Sequence, residues 1–375
     1  MIDVGGTTKP YLIGNKASIL HHLDDDVLGL VCANLHDLAA ADKQHSGDKA
    51  SLRPLSTTCK RLRALCIPYI FQTFKLEYRA ANPWAEASWK LEGWNTDFAP
   101  FVREVIITLK LAKKADEASF ISTLPDTLAS VLITLTSSTS RLESFTLEIE
   151  PKRMDLFAVA LVKQNVVFTS VRRLKIGHYG AQVLDLFPNT MTLAIHGLPC
   201  RQDGSGWNTE AIEALPRLSK LQSLYLGQTD YGDEIIEVLL KAIPNIKTLV
   251  LPCGPQSHFD TFISKLASLR EVEVLCIADE FSQENIGFCP PYGTDPGYMY
   301  PKLARQFRQQ GDEANDDVTR TGFSQCPRLT ELWLGSYASV PNLTTTMDHG
   351  VEDSRTGELE WSPWATDNYF WNKYF

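Results

Sequence analysis

A short pattern recurs along this chain and constrains its fold more than any other feature. Apolar residues stand at a first position, three places on, and two places beyond that. The pattern appears at Val102/Val105/Ile107, Leu142/Phe145/Leu147, Val171/Leu174/Ile176 and Leu221/Leu224/Leu226. It returns at Ile246/Leu249/Leu251, Leu269/Val272/Val274 and Leu329/Leu332/Leu334, with a weaker copy at Thr190/Leu193/Ile195. The last two positions lie two residues apart, so on an extended backbone they share one face and the residue between them points the other way. Each copy therefore reads as a short strand.

Between the copies, Phe120 to Leu135, Met154 to Val162, Ile235 to Leu240 and Phe259 to Leu266 carry helical spacing. Pro188-Asn189, Pro216-Arg217, Pro244-Asn245 and Pro327-Arg328 place turn residues just ahead of several strands. Strand and helix alternating in this way give an α/β chain. Two architectures use that alternation: a stack of repeats, or an ordinary α/β domain with parallel strands. The turn before each strand recurs with the pattern, which favours the stack. Spacing between copies is uneven, 25 residues from Leu221 to Ile246 and 40 from Val102 to Leu142.

Repeats of this kind resemble leucine-rich repeats, in a degenerate form that mostly lacks the asparagine or cysteine after the strand. The resemblance implies an irregular solenoid of short parallel strands and helices over 79–343, with an insertion at 279–322 that holds Cys289-Pro290-Pro291-Tyr292-Gly293. In such a stack the residues between the inward positions form a row along the concave face. Thr146, Lys175, Tyr225, Val250, Glu273 and Trp333 are the expected row, and the expected contact with a protein target.

The first eighty residues have a different texture. Asp24-Asp25-Asp26 offers an N-cap and first-turn carboxylates to a helix carrying Val27, Leu28, Val31 and Leu35, before a polar stretch from His36 to Lys49. A second helical run places Leu55, Cys59, Leu62 and Leu65 on one side. After Pro68, the segment from Tyr69 to Leu76 reads as extended.

Leu23-Asp24-Asp25-Asp26-Val27-Leu28, then Leu55 through Leu65 with Cys59-Lys60-Arg61 at its centre, then Pro68-Tyr69-Ile70-Phe71, resembles the F-box of fungal F-box proteins. Asp24 stands where the family has proline, and the connection from His36 to Arg53 is longer than usual. The resemblance implies an F-box-like domain over 18–78 behind a flexible N-terminus (1–17). It further implies a Skp-family adaptor bound through Leu23, Val27, Leu28, Val31, Leu55, Cys59 and Leu62, and through that adaptor a cullin. The function implied is substrate recognition in an SCF-type cullin-RING ubiquitin ligase. The alternative is a stand-alone repeat scaffold that no longer binds the adaptor.

Charge and composition narrow the partners. The net charge of -9 is concentrated in 279–360, which holds fourteen acidic and six basic residues. No basic face is offered to phosphates, so nucleic acid is not an expected partner. No apolar run reaches the roughly 18 residues of a membrane span, and no signal peptide opens the chain. A cytoplasmic or nuclear protein is expected. The eight cysteines form no C-x-x-C pair, so buried thiols are expected, without metal or cofactor. Gly5-Gly6-Thr7-Thr8-Lys9 lacks phosphate-loop spacing, and the histidines lack ligand spacing. No catalytic residue stands out, and the chain reads as a binding protein rather than an enzyme. Residues 344–375 end in seven aromatics within the last fifteen residues, Trp361 to Phe375, which suits a cap on the stack or a docking tail.

Overall fold

In the computed structural model of the chain the described residues are 24–42, 52–80, 82–111, 122–138, 141–177, 180–196, 210–227, 233–251, 259–277, 320–334, 337–340 and 343–348. Leu23, the 1–17 segment, most of the 279–322 insertion and the aromatic segment from Trp361 lie outside them. The chain divides into two compact units, Met1–Thr73 and Phe74–Phe375. The boundary falls five residues before the end of the expected 18–78 domain. The strand at Thr73–Ala80 pairs in the sheet, so all but its first residue belongs to the second unit.

The first unit holds helices α1 (Asp25–Asp42), α2 (Arg53–Ser56) and α3 (Lys60–Ile70). The start of α1 is as its three aspartates dictate. The Asp24 carbonyl accepts from Leu28 N at 3.0 Å, and Asp25 and Asp26 occupy the first turn. Its end is not where the polar stretch suggested. The alanines at 39–41 keep the backbone helical as far as Asp42 despite their polar neighbours. Likewise α3 runs through Pro68, so the Tyr69-Ile70 segment is helical and extension begins only at Thr73. Cys59 caps α3, its sulfur accepting from Leu62 N at 3.5 Å. Asp25 and Arg61 join the first turns of α1 and α3 by an ion pair of 2.6 Å.

The second unit is α/β. Among the described residues eleven strands form one sheet in strict chain order: β1 (Thr73–Ala80), β2 (Glu104–Leu111), β3 (Ser144–Ile149), β4 (Arg173–Gly177), β5 (Thr192–His196), β6 (Ser223–Gly227), β7 (Thr248–Leu251), β8 (Val274–Ile277), β9 (Glu331–Leu334), β10 (Tyr337–Val340) and β11 (Leu343–Asp348). Pairs from β2 to β9 are parallel, and β9 to β11 are antiparallel. Helices α4 (Pro83–Glu92), α5 (Leu124–Ser138), α6 (Pro151–Lys163), α7 (Glu210–Glu213), α8 (Asp233–Ala242) and α9 (Phe259–Leu266) alternate with the strands. Among the described residues the order does not reverse, as it does at the switch point of doubly wound α/β sheets. This arrangement is compatible with a repeat solenoid.

The recurring pattern explains the register. Val105, Phe145, Leu174, Leu193, Leu224, Leu249, Leu275 and Leu332 pair in one continuous row. All of them are buried, in one cluster with Leu128 of α5, Phe157 of α6 and Ile263 of α9. The core thus lies on a single face of the sheet. Just upstream of the strands a second regularity appears. The carbonyls of Arg103, Glu143, Arg172, Met191, Gln222, Lys247 and Glu273 each accept two amides from the following unit, as Arg172 does from Met191 (2.8 Å) and Thr192 (3.0 Å). Thr190, the polar copy of the first position, is fully buried, and its hydroxyl donates to the Phe187 carbonyl at 3.0 Å. A threonine fits there because its own turn satisfies it.

One assignment shifts. The sequence placed Leu269/Val272/Val274 in register, but Leu249 pairs with Leu275 and Val250 with Cys276. The true copy is Val272/Leu275/Ile277, three residues later. Both windows fit the pattern, and the backbone ladder from Lys247 to Glu273 selects the second. Cys276, not Glu273, therefore occupies the row between the inward positions. Glu273 sits upstream of β8 and pairs with Lys247 at 3.1 Å.

Aromatic packing reinforces the early repeats. Phe145, Phe168 and Phe187 form a triad with centroids 4.6–5.0 Å apart, the last two stacked. Helix α6 ends at Lys163, and just past its cap Asn165 has φ of 53°, the left-handed value that closes helices, with Val166 N donating to the Leu161 carbonyl.

Candidate functional site

Two surfaces were expected to carry function, one in each unit. On α1 the apolar residues cover an arc of roughly 200°, at roughly 100° per residue. Only one edge of that arc is buried. Leu28 and Cys32 turn inward, and Cys32 meets Leu52 and Cys66 in a small core that Leu55, Leu65, Tyr69 and Ile70 flank. The other edge is open: Val27 is 45% exposed, Leu30 65%, Val31 43% and Leu35 38%.

This division corrects part of the expected adaptor surface. Leu28 and Leu62 are buried, so neither offers open surface to a partner. Leu55 is half-buried against the same core, and half-buried Cys59 serves as a helix cap. Val27 and Val31 remain on the surface as expected. Leu30 was missed, although it lies one turn from Val27, and it is 65% exposed. Its signal was weak because Leu30 falls on the far edge of the arc from Leu28.

Within the small core, the sulfurs of Cys32 and Cys66 lie 3.7 Å apart and both residues have no exposure. Burial pushes the Cys66 thiol up to about 12, and its neighbour Cys32 adds to the effect. A raised value means that the fold favours the neutral thiol. That contribution is complete below the ordinary value of 9.0 and disappears as pH climbs from there toward 12. At pH 8, iodoacetamide should therefore modify half-buried Cys59 and leave Cys32 and Cys66 intact, as peptide mass spectrometry can check.

The second surface is the sheet face opposite the core. Its central row runs Ile106, Thr146, Lys175, Ala194, Tyr225, Val250, Cys276 and Trp333. Five of the six expected target-facing residues thus share one row, and Glu273 does not. The row is uneven in exposure. Thr146 and Lys175 are half-buried, whereas Tyr225 is 6% and Val250 1% exposed, so these two are not open contact residues. The alternation of the strands fixes which way a side chain projects, and it says nothing of what lies above it.

At the open end of the row the face is charged. Glu148, itself buried, accepts ion pairs from Lys110 on one oxygen and from Lys175 on the other, the latter at 3.3 Å. Three adjacent strands are tied by this one carboxylate, which holds both lysine stems against the sheet. Among the described residues, no helix is long and apolar enough to cross a membrane. No protein-family model matches the chain, and no curated protein matches it.

Proposed function

We propose that this chain is the substrate-recognition subunit of an SCF-type cullin-RING ubiquitin ligase. In this reading the first unit is an F-box-like module and the second a degenerate leucine-rich-repeat solenoid. The observation that carries it is the exposed apolar edge of α1. Val27, Leu30, Val31 and Leu35 lie together on a helix whose opposite edge already serves the unit's own core. An apolar strip of this kind on a soluble helix fits a partner's groove. A Skp-family adaptor is the partner that the order of residues from Leu23 to Phe74 implies.

The ligase reading assigns no bond chemistry to the chain. The adaptor would tether it to a cullin, and the sheet unit would hold a target protein near the transferring enzyme, raising its local concentration. Thr146 and Lys175, at the uncovered end of the row, are the target contacts in this account. The cytoplasm or nucleus is the compartment it requires. Recovery of purified cullin on the immobilised chain tests the assembly. Cullin should be retained only when purified Skp-family adaptor is added. If adaptor brings no cullin onto the chain, the chain is a repeat scaffold without the adaptor link, the reading that Asp24 in place of proline favours.

A further inference from the structure

The outer face of α6 is apolar where a surface helix is ordinarily polar. Among the described residues of the sheet unit, the exposed large apolar side chains are Trp89 of α4 and a group at α6. That group is Leu156 (44%), Val159 (64%), Val162 (52%) and, in the turn beyond, Val167 (45%). At roughly 100° per residue, Val159 stands at the centre of the exposed arc, with Leu156 about 60° to one side and Val162 about 60° to the other. The inward residues Met154, Phe157, Ala158 and Leu161 already serve the main core. Asp155 and Lys163 lie one turn before and one turn after Val159, and both are exposed. Gln182 donates to one Asp155 oxygen at 2.9 Å, and Lys163 makes no ion pair among the described residues.

The strip reads the same from either end. Counting outward from Val159, the third place on each side is aliphatic, Leu156 or Val162, and the fourth places carry opposite charges, Asp155 and Lys163. We infer that α6 is a homodimer contact, in which two copies of this chain pack antiparallel about a two-fold axis at Val159. A two-fold interface must be complementary to itself, and this helix meets that condition. In the commonest class of helix crossing, rows at a spacing of four residues run alongside each other. The row Asp155–Val159–Lys163 then meets its own copy reversed. Val159 touches Val159, and each Asp155 faces Lys163 of the other copy, so two reciprocal ion pairs flank an apolar centre. Leu156 and Val162 close the contact on either side. A parallel arrangement sets Asp155 on Asp155 and Lys163 on Lys163, so charge selects the antiparallel one. An unrelated partner requires none of this symmetry. The patch is small beside the roughly 800 Å² per partner of a standard interface, so a weak dimer is expected, with Kd of about 10–100 µM.

Sedimentation equilibrium of the full chain tests this arrangement. Unmodified chain should pass from monomer toward dimer mass as its concentration rises through that range. Val159→Glu sets two carboxylates against each other at the axis and should weaken association at least about tenfold. Asp155→Lys alone, or Lys163→Asp alone, should weaken it about tenfold, because each places like charges at both ion pairs. The Asp155→Lys/Lys163→Asp double variant should recover the original affinity within about threefold. An equimolar mixture of the two single variants should form a heterodimer, since each supplies the charges that the other lacks. All three side chains are exposed, so Tm is expected to stay the same in every variant.

A chain that remains monomeric up to about 300 µM overturns the inference and leaves the strip to a different partner. Dimers of equal affinity in Val159→Glu overturn it by placing the contact elsewhere. A double variant that binds no better than the single ones overturns the two-fold register. Neither adaptor nor target enters the measurement, so failure here is separate from failure of the ligase reading.

Discussion

A chain carrying Leu28→Asp and Leu62→Asp is expected to lose the helical structure of its first unit while its sheet unit still unfolds cooperatively. Both leucines are buried, 2% and 3% exposed, on the inward edges of α1 and α3. A carboxylate placed there costs several kcal/mol unless it is paired. A unit bounded by Met1–Thr73 has little stability to spare. Leu30→Asp with Val31→Asp is the contrasting pair. Those side chains are 65% and 43% exposed, so the change should stay within about 1 kcal/mol. Hydrogen exchange read separately over residues 25–70 and over the strands distinguishes the two outcomes. Equal protection of α1 and α3 in both variants would contradict the inward assignment of Leu28 and Leu62.

Phe145→Ala should be the most damaging single truncation in the sheet unit, at about 3–5 kcal/mol. Phe145 is fully buried in the register row and meets Phe168 at 4.7 Å and Phe187 at 5.0 Å. Those two rings come from the turns ahead of β4 and β5, so the truncation opens a cavity shared by three successive units. A fall in Tm of the order of 10 °C should follow for a unit of this size. Leu224→Ala and Leu249→Ala, paired neighbours with no exposure, should cost about 2–5 kcal/mol each. The combined cost should differ from their sum, since the two sites touch. Trp89→Ala removes a larger side chain that is 78% exposed, and should move Tm little. A Phe145→Ala melt no lower than that of Trp89→Ala would contradict the placement of the core on this face.

The strand–helix units were legible because their signal is local. Three apolar positions at fixed spacing, with a proline turn ahead, mark a strand wherever they fall, and α9 runs from Phe259 to Leu266 as its spacing indicated. Register was legible only where one window fitted. Leu269, Val272 and Val274 match the pattern as well as Val272, Leu275 and Ile277 do, and only pairing with Leu249 and Leu251 distinguishes them. The surfaces were less legible. Periodicity identified the apolar arc of α1, but not that Leu28 is buried while Leu30 is exposed. Alternation set Tyr225 and Val250 on the outer face, yet it carries no signal that they are buried there.

The most direct test of the account is calorimetric titration of the intact chain with purified Skp-family adaptor. Unmodified chain should bind one adaptor with Kd of about 1 µM or tighter. The Leu30→Asp/Val31→Asp variant, with an unchanged melt, should bind at least about a hundredfold more weakly, as the loss of two apolar anchors requires. Absence of binding by the unmodified chain, or equal affinity in the variant, would contradict the assignment of α1 as the adaptor-docking helix.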